Sequence, residues 1–188
     1  MTFDASQRAA LLDLARRSIS AGLSEARHVP YAAEHLPPAL DIRRASFVTL
    51  RIDGVLRGCC GSIEVRYPLA QDVWRNAWAS AFADPRFPAL TADEFAQCDI
   101  HISVLSELEP LIVADERELL RTVRAGIDGL VLSADGERVT FLPSVWEQLP
   151  EPEQFLRHLK LKAGWPAEAW PANLRVWRYT TEEFGKSH

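Results

Sequence analysis

The sequence predicts an α+β fold, a mixed antiparallel sheet with packed helices, and three observations carry that prediction. Two runs of alternating apolar and polar residues fold back around Asp53-Gly54 and around Ala134-Asp135-Gly136, as hairpins do. Helical and strand periodicities follow one another in mixed order, without the regular strand–helix alternation of a doubly wound sheet. With 188 residues, 47% of them hydrophobic and 25% charged, the chain can enclose a core.

Taken in order, residues 6–21 have amphipathic helical spacing, with Leu11, Leu12, Ala15 and Ile19 as the apolar stripe and Gly22 as the expected stop. Pro30, Pro37 and Pro38 then favour an extended loop. Residues 46–52 alternate as a strand, Asp53-Gly54 suits the positive φ angles of a type I′ turn, and residues 55–63 return. Pro68 opens a helix over 68–83, apolar around most of its circumference, and Pro85 ends it. Thr91-Ala-Asp-Glu has the pattern of a capping box, and residues 99–105 alternate again, with Ile100, Ile102 and Val104 on one face. Beyond Pro110, a helix is expected over 115–124 with Gly126 as its cap. A hairpin of 129–133 with 138–142 follows, then a helix over 152–163 ending at Gly164 and a final strand over 175–179.

Charge and cysteine usage exclude several classes. A net charge of -5, a pI near 5.6 and no local cluster of basic residues argue against nucleic acid or an anionic membrane as partner. No run of about 18 apolar residues could span a bilayer, and the start lacks the pattern of a secretory signal. Three cysteines, two of them adjacent, make no disulfide framework, so free thiols in a cytoplasmic setting are expected.

The segment Leu56-Arg57-Gly58-Cys59-Cys60-Gly61 is the expected functional centre. On a regular strand, Leu56 and Cys60 share the core side, and Arg57 and Cys59 share a face reached by solvent or ligand. A guanidinium beside a thiol favours the thiolate. Gly58 and Gly61 would let backbone N–H groups approach a ligand, giving a nucleophile with anion stabilisation at hand. The plainer alternative, a hairpin bulge around a packed and inert cysteine, stands beside that reading. A disulfide between the adjacent cysteines is disfavoured because alternation points their side chains apart.

The stretch Phe47-Val-Thr-Leu-Arg-Ile-Asp-Gly-Val-Leu-Arg-Gly-Cys-Cys-Gly-Ser-Ile-Glu64 resembles the AMMECR domain family, in particular its bacterial AmmeMemoRadiSam system protein A members. The family hallmark is Leu-Arg-Gly-Cys-Ile-Gly, and Cys60 stands in place of its isoleucine. Further blocks agree, among them residues 81–88, Ile102-Ser-Val-Leu105, Asp128-Gly-Leu130 and residues 155–164. The resemblance runs over roughly residues 6–184 and implies one AMMECR-type domain, 1–188, of a larger and a smaller subdomain forming a cleft. It also implies association with Memo-like and radical-SAM proteins in a modification system, but supplies no reaction. Where the family often carries a second cysteine this chain has Lys160, so a two-cysteine mechanism is not expected. His101 stands where the family more often has an acid.

Cys59 is therefore the catalytic candidate, with Arg57, Gly58, Gly61, Asn76 and Arg86 as candidates for binding a small anionic ligand. Arg86 sits in the rigid loop Asp84-Pro85-Arg86-Phe87-Pro88. Asn76, one helical turn before Ser80, could brace the hairpin near Cys59 or contact ligand. His101, Ser103 and His158 are left without a role, because nothing in the sequence fixes their distance to Cys59. No metal site is expected, since the cysteines lack ligand spacing, and no cofactor is called for. Three functions remain open: a cysteine-dependent enzyme, a non-catalytic interaction or substrate-presenting component, and a small-molecule binder using the two arginines.

Overall fold

The structure, a computed structural model, describes residues 2–32 and 40–186. Pro37 and Pro38 lie outside the described residues. The chain divides into two compact units, Met1–Leu105 with Glu182–His188, and Ser106–Thr181.

The first unit is a four-stranded sheet with helices on one face. Its strands are β1 (Ser46–Ile52), β2 (Val55–Gly61), β3 (Asp99–Leu105) and β8 (Thr181–Lys186), in the order β2-β1-β3-β8. Helices α1 (Ala5–Glu25) and α2 (Leu69–Phe82) cover one face, where Leu11, Ile19, Val73 and Ala77 close a core with Val48, Leu50, Ile100 and Ile102. Asp4 begins α1 with a capping box to Gln7, and Thr91 does the same with Glu94 for the short α3 (Ala92–Phe95). In the β1–β2 turn Asp53 has φ 52° and Gly54 φ 76°, the left-handed pair that a type I′ turn requires.

The expected stop at Gly22 is not one. The helix continues to Glu25, and Gly22 is buried against α2. A side-chain carbon there would come within 2.5 Å of Phe82 and 2.8 Å of Trp78, so this glycine allows close helix packing and does not end the helix. The β2 strand also stops at Gly61, two residues before the expected 63.

In the second unit, β4 (Glu109–Leu111), β5 (Gly129–Ala134), β6 (Glu137–Phe141) and β7 (Arg175–Tyr179) form a sheet in the order β4-β7-β5-β6. Helices α4 (Glu116–Thr122) and α5 (Pro152–Lys162) complete it, with a 3-10 turn over Pro143–Glu147. Trp146 and Phe155 stack at 3.8 Å in its core. Lys160 is buried, its ammonium donating to Glu116 at 2.6 Å and to the Ala167 carbonyl at 3.0 Å.

Two strands lie where none was expected. β4 contains Pro110, which reads as loop but is tolerated on an edge strand. Arg175–Tyr179 is not the last strand, because β8 follows it and joins the first unit's sheet. Adjacent Glu182 and Glu183, with Gly185, hide the alternation of β8, although Phe184 packs edge-on against Phe3 at 6.1 Å.

Gly22→Ala tests the α1–α2 packing. Helix propensity favours alanine by about 1 kcal/mol, whereas overpacking typically costs about 1–3 kcal/mol. We expect a net loss of stability in urea unfolding; a gain would show that the helices are free to move apart.

Candidate functional site

The β1–β2 ladder pairs Leu50 with Gly58 but Arg51 with Leu56, so Arg57 is an extra residue, a β-bulge. The bulge breaks the expected alternation. Arg57 does not stand beside Cys59; it turns toward the helices and is 9% exposed. Its Nε and Nη2 each donate to Glu94 at 2.9 Å, and its guanidinium lies 5.8 Å from the Phe87 ring centre. The Arg57 hydrogen bond, with a second from the Thr91 backbone, draws the Glu94 carboxyl down to about 2. Leu56 and Cys60, expected in the core, are only half-buried.

Gly58 is a glycine because α2 presses on the strand: a side-chain carbon would overlap the Ser80 carbonyl oxygen. At Gly61 the same carbon would overlap Phe47 and the Ser46 carbonyl. The glycines thus serve close packing. Nor are the neighbouring backbone N–H groups open to a ligand, since Cys59 donates to Asp84 and Cys60 to the Ser80 hydroxyl at 2.8 Å. That hydroxyl also lies 2.7 Å from the Val48 carbonyl, linking α2 to both strands.

Cys59 lies where these constraints meet. Its N–H donates to Asp84 Oδ2 at 2.9 Å, and its carbonyl accepts from Arg86 Nη2 at 3.3 Å. Asp84 and Arg86 are joined through Nε–Oδ1 at 2.9 Å and Nη2–Oδ2 at 2.7 Å. Two side chains of one loop therefore hold both polar groups of the Cys59 peptide. Arg86, with the Cys59 N–H in support, holds the buried Asp84 carboxyl well below the usual carboxylate range. With Gly58 toward α2, the Cys59 side chain falls on the other face, where the Thr49 hydroxyl donates to its sulfur at 3.3 Å.

Asn76 braces a different place. Its amide donates to the Ser46 carbonyl at 3.0 Å and to Asp72 at 2.8 Å, fixing the start of β1 rather than the segment at Cys59. The buried Asp72 carboxylate also accepts the Ser46 N–H at 2.8 Å and the Ser46 hydroxyl at 2.7 Å, yet burial raises its pKa. Thr49, Asp84 and Ser80 carry no motif that marks them in the sequence, yet each bonds to Cys59 or Cys60. Asp84 was legible only as part of the loop carrying Arg86. A cavity of about 670 Å³ between α1 and β8 includes none of the candidate residues in its lining. No cluster of three His, Cys, Asp or Glu able to hold a metal occurs among the described residues. No helix among them is long and apolar enough to cross a membrane.

A model of the AMMECR1 family matches residues 12–184, and the chain belongs to that family. It is 33% identical over 176 residues to a protein of Methanothermobacter thermautotrophicus, covering 93% of this chain and 91% of the relative. A Thermotoga maritima protein is 36% identical over 154 residues, covering 80% of this chain and 83% of its own length. The crystal structure of the uncharacterized protein PH0010 from Pyrococcus horikoshii superimposes with a TM-score of 0.91 at 29% identity. That match covers 100% of this chain and 95% of the other.

Two predictions follow from the geometry of the site. Burial pushes the thiols of Cys60 and Cys98 up, with Asp84 adding to the effect at Cys60. At neutral pH an alkylating reagent should therefore modify Cys59 about tenfold faster than either, as read by peptide mass spectrometry; equal rates would contradict the assignment. The depressed carboxyls of Asp84 and Glu94 contribute stability that is present above the unfolded value of about 4 and lost as pH falls. Asp72, with its pKa raised, acts oppositely and costs stability as pH rises above about 4. Asp84→Ala should lose about 1–3 kcal/mol at pH 7 and show a shallower acid-side decline than the parent protein in urea titrations. An unchanged decline would remove Asp84 from the account.

Proposed function

We propose that this AMMECR1-family protein is a cysteine-dependent component of a modification system with Memo-like and radical-SAM partners. In this reading Cys59 is the nucleophile for a small or anionic substrate, and Arg86 receives the substrate's charge. The observation that carries it is a half-buried free thiol on a residue held at both its backbone N–H and its backbone carbonyl. Such anchoring keeps a nucleophile in place without ordering it during reaction. The Arg86 side chain is 54% exposed while bound to Asp84, which leaves part of the guanidinium available to an anion. Arg57, Gly58, Gly61 and Asn76 support the reading through packing and bracing rather than by touching substrate. The setting is cytoplasmic, and the mechanism calls for no metal or cofactor.

One observation favours a second reading, a docking or substrate-presenting component without turnover. Gly58 and Gly61 are accounted for by close packing within the fold, and Arg57 is paired with Glu94, as in a scaffold motif.

The experiment is a reconstitution with the Memo-like and radical-SAM proteins, comparing the parent protein, Cys59→Ser and Cys60→Ser. The cysteine reading predicts that Cys59→Ser abolishes the modification and any covalent adduct seen by intact mass, while Cys60→Ser retains most of both. Full function of Cys59→Ser, with partner binding intact, would leave only the docking reading.

A further inference from the structure

The cavity between α1 and β8 lies apart from everything assigned to Cys59. Its lining belongs wholly to the first unit, and its strand wall, residues 183–185, is at the edge of the sheet opposite β2. At about 670 Å³ it has the size of a small-molecule pocket. Leu12, Ile100 and Phe184 give it an apolar floor, and Ala5 and Ala9, small and exposed, leave the α1 side open. Arg8 stands where that floor meets charge, its guanidinium 5.9 Å from the centre of the Phe184 ring. Glu182 holds it there, accepting from Nε at 3.2 Å and lying 3.0 Å from Nη2. The same carboxylate accepts the Phe3 N–H at 2.8 Å. Glu182 is thus shared between two partners, while the Arg8 side chain, 39% exposed, keeps N–H donors for a further acceptor.

The other charges of the lining are placed differently. Asp13 pairs with Arg17 at 2.9 Å and its side chain is 63% exposed, and Glu183 is exposed as well. Arg16 lies 5.6 Å from the centre of the Phe95 ring, which is not part of the lining. Arg8 is the charge set over an aromatic ring of the lining itself. We infer that this cavity binds a small amphipathic carboxylate, its apolar body against Leu12, Ile100 and Phe184 and its acid head on Arg8. A carboxylate can take two N–H groups of one guanidinium, and it suits the donors that Glu182 leaves unused. The site is a second one, independent of the cysteine reading, because β1 and β3 separate β8 from β2.

The probe is decanoate, with decanol as its uncharged counterpart, titrated into the parent protein, Ala9→Phe and Arg8→Gln and followed by amide chemical shifts. The parent protein should show saturable shifts at the Leu12, Ile100 and Gly185 amides with Cys59 unmoved, and should bind decanoate about tenfold more tightly than decanol. Ala9→Phe, which puts a ring into the cavity from an exposed position, should lose the saturable shifts. Arg8→Gln should bring decanoate down to the affinity of decanol. Thermal unfolding identifies any variant that is simply unfolded, and the preference for decanoate is read in the parent protein, where folding is not in question. The absence of saturable shifts or of that preference in the parent protein overturns the inference. So does unchanged binding by folded Ala9→Phe, or a preference that survives Arg8→Gln. None of these results touches the reconstitution test of Cys59→Ser, so the cavity can fail while the cysteine reading stands.

Discussion

Among the described residues β2 has a neighbouring strand on one side only, so the outward N–H and carbonyl of Cys59 have no ladder to join. The loop after α2 supplies what a further strand would have given: Asp84 accepts the N–H and Arg86 donates to the carbonyl. Because Asp84 is buried, leaving it without Arg86 would strand a charge, and leaving the Cys59 N–H without Asp84 would strand a donor. Each partner is needed by the others, and the position of the thiol depends on that mutual requirement.

The rest of the first unit is arranged to make the clamp possible. The loop can reach β2 only because α2 lies close against the strand, and that approach needs Gly58 to have no side chain. Ser80 uses the same proximity to bond across to β1 and β2, while Asp72 and Asn76 tie the other end of α2 to Ser46. The Arg57 bulge complements this. It removes a large cation from the thiol's face and places it against Glu94 and Phe87, in the segment that continues from the clamp loop. Arg57 and Arg86 flank the same Phe87 ring at 5.8 and 5.5 Å, so bulge and clamp share one packing element.

Much of this fold was legible in the sequence, because its elements are specified locally. Asp53-Gly54 and Asp135-Gly136 name their turns, Thr91 with Glu94 names a helix start, and Ile100, Ile102 and Val104 name a buried face. What escaped depends on contacts distant in sequence. Gly22 looks like a terminator until Trp78 and Phe82 are seen beside it, and β8 is hidden by its paired glutamates. At the site, the type of residue at Cys59 and Arg86 could be read and a bulge stood as an alternative, but that Arg57 is the bulged residue could not be read. The bulge arises where the β1–β2 register slips by one, so alternation counted back from Gly58 and Cys59 predicts the wrong face for Arg57.

The claim on which the account rests is that the Cys59 peptide is held by side chains and not by a strand. Amide hydrogen exchange at Cys59 tests it most directly, comparing the parent protein with Arg86→Ala and Asp84→Asn. The account predicts a Cys59 amide protected in the parent protein and markedly faster in Asp84→Asn, with Arg86→Ala between them and the Leu50 and Val48 amides of β1 unchanged. Rapid exchange at Cys59 in the parent protein, or protection that persists in Asp84→Asn, would contradict it.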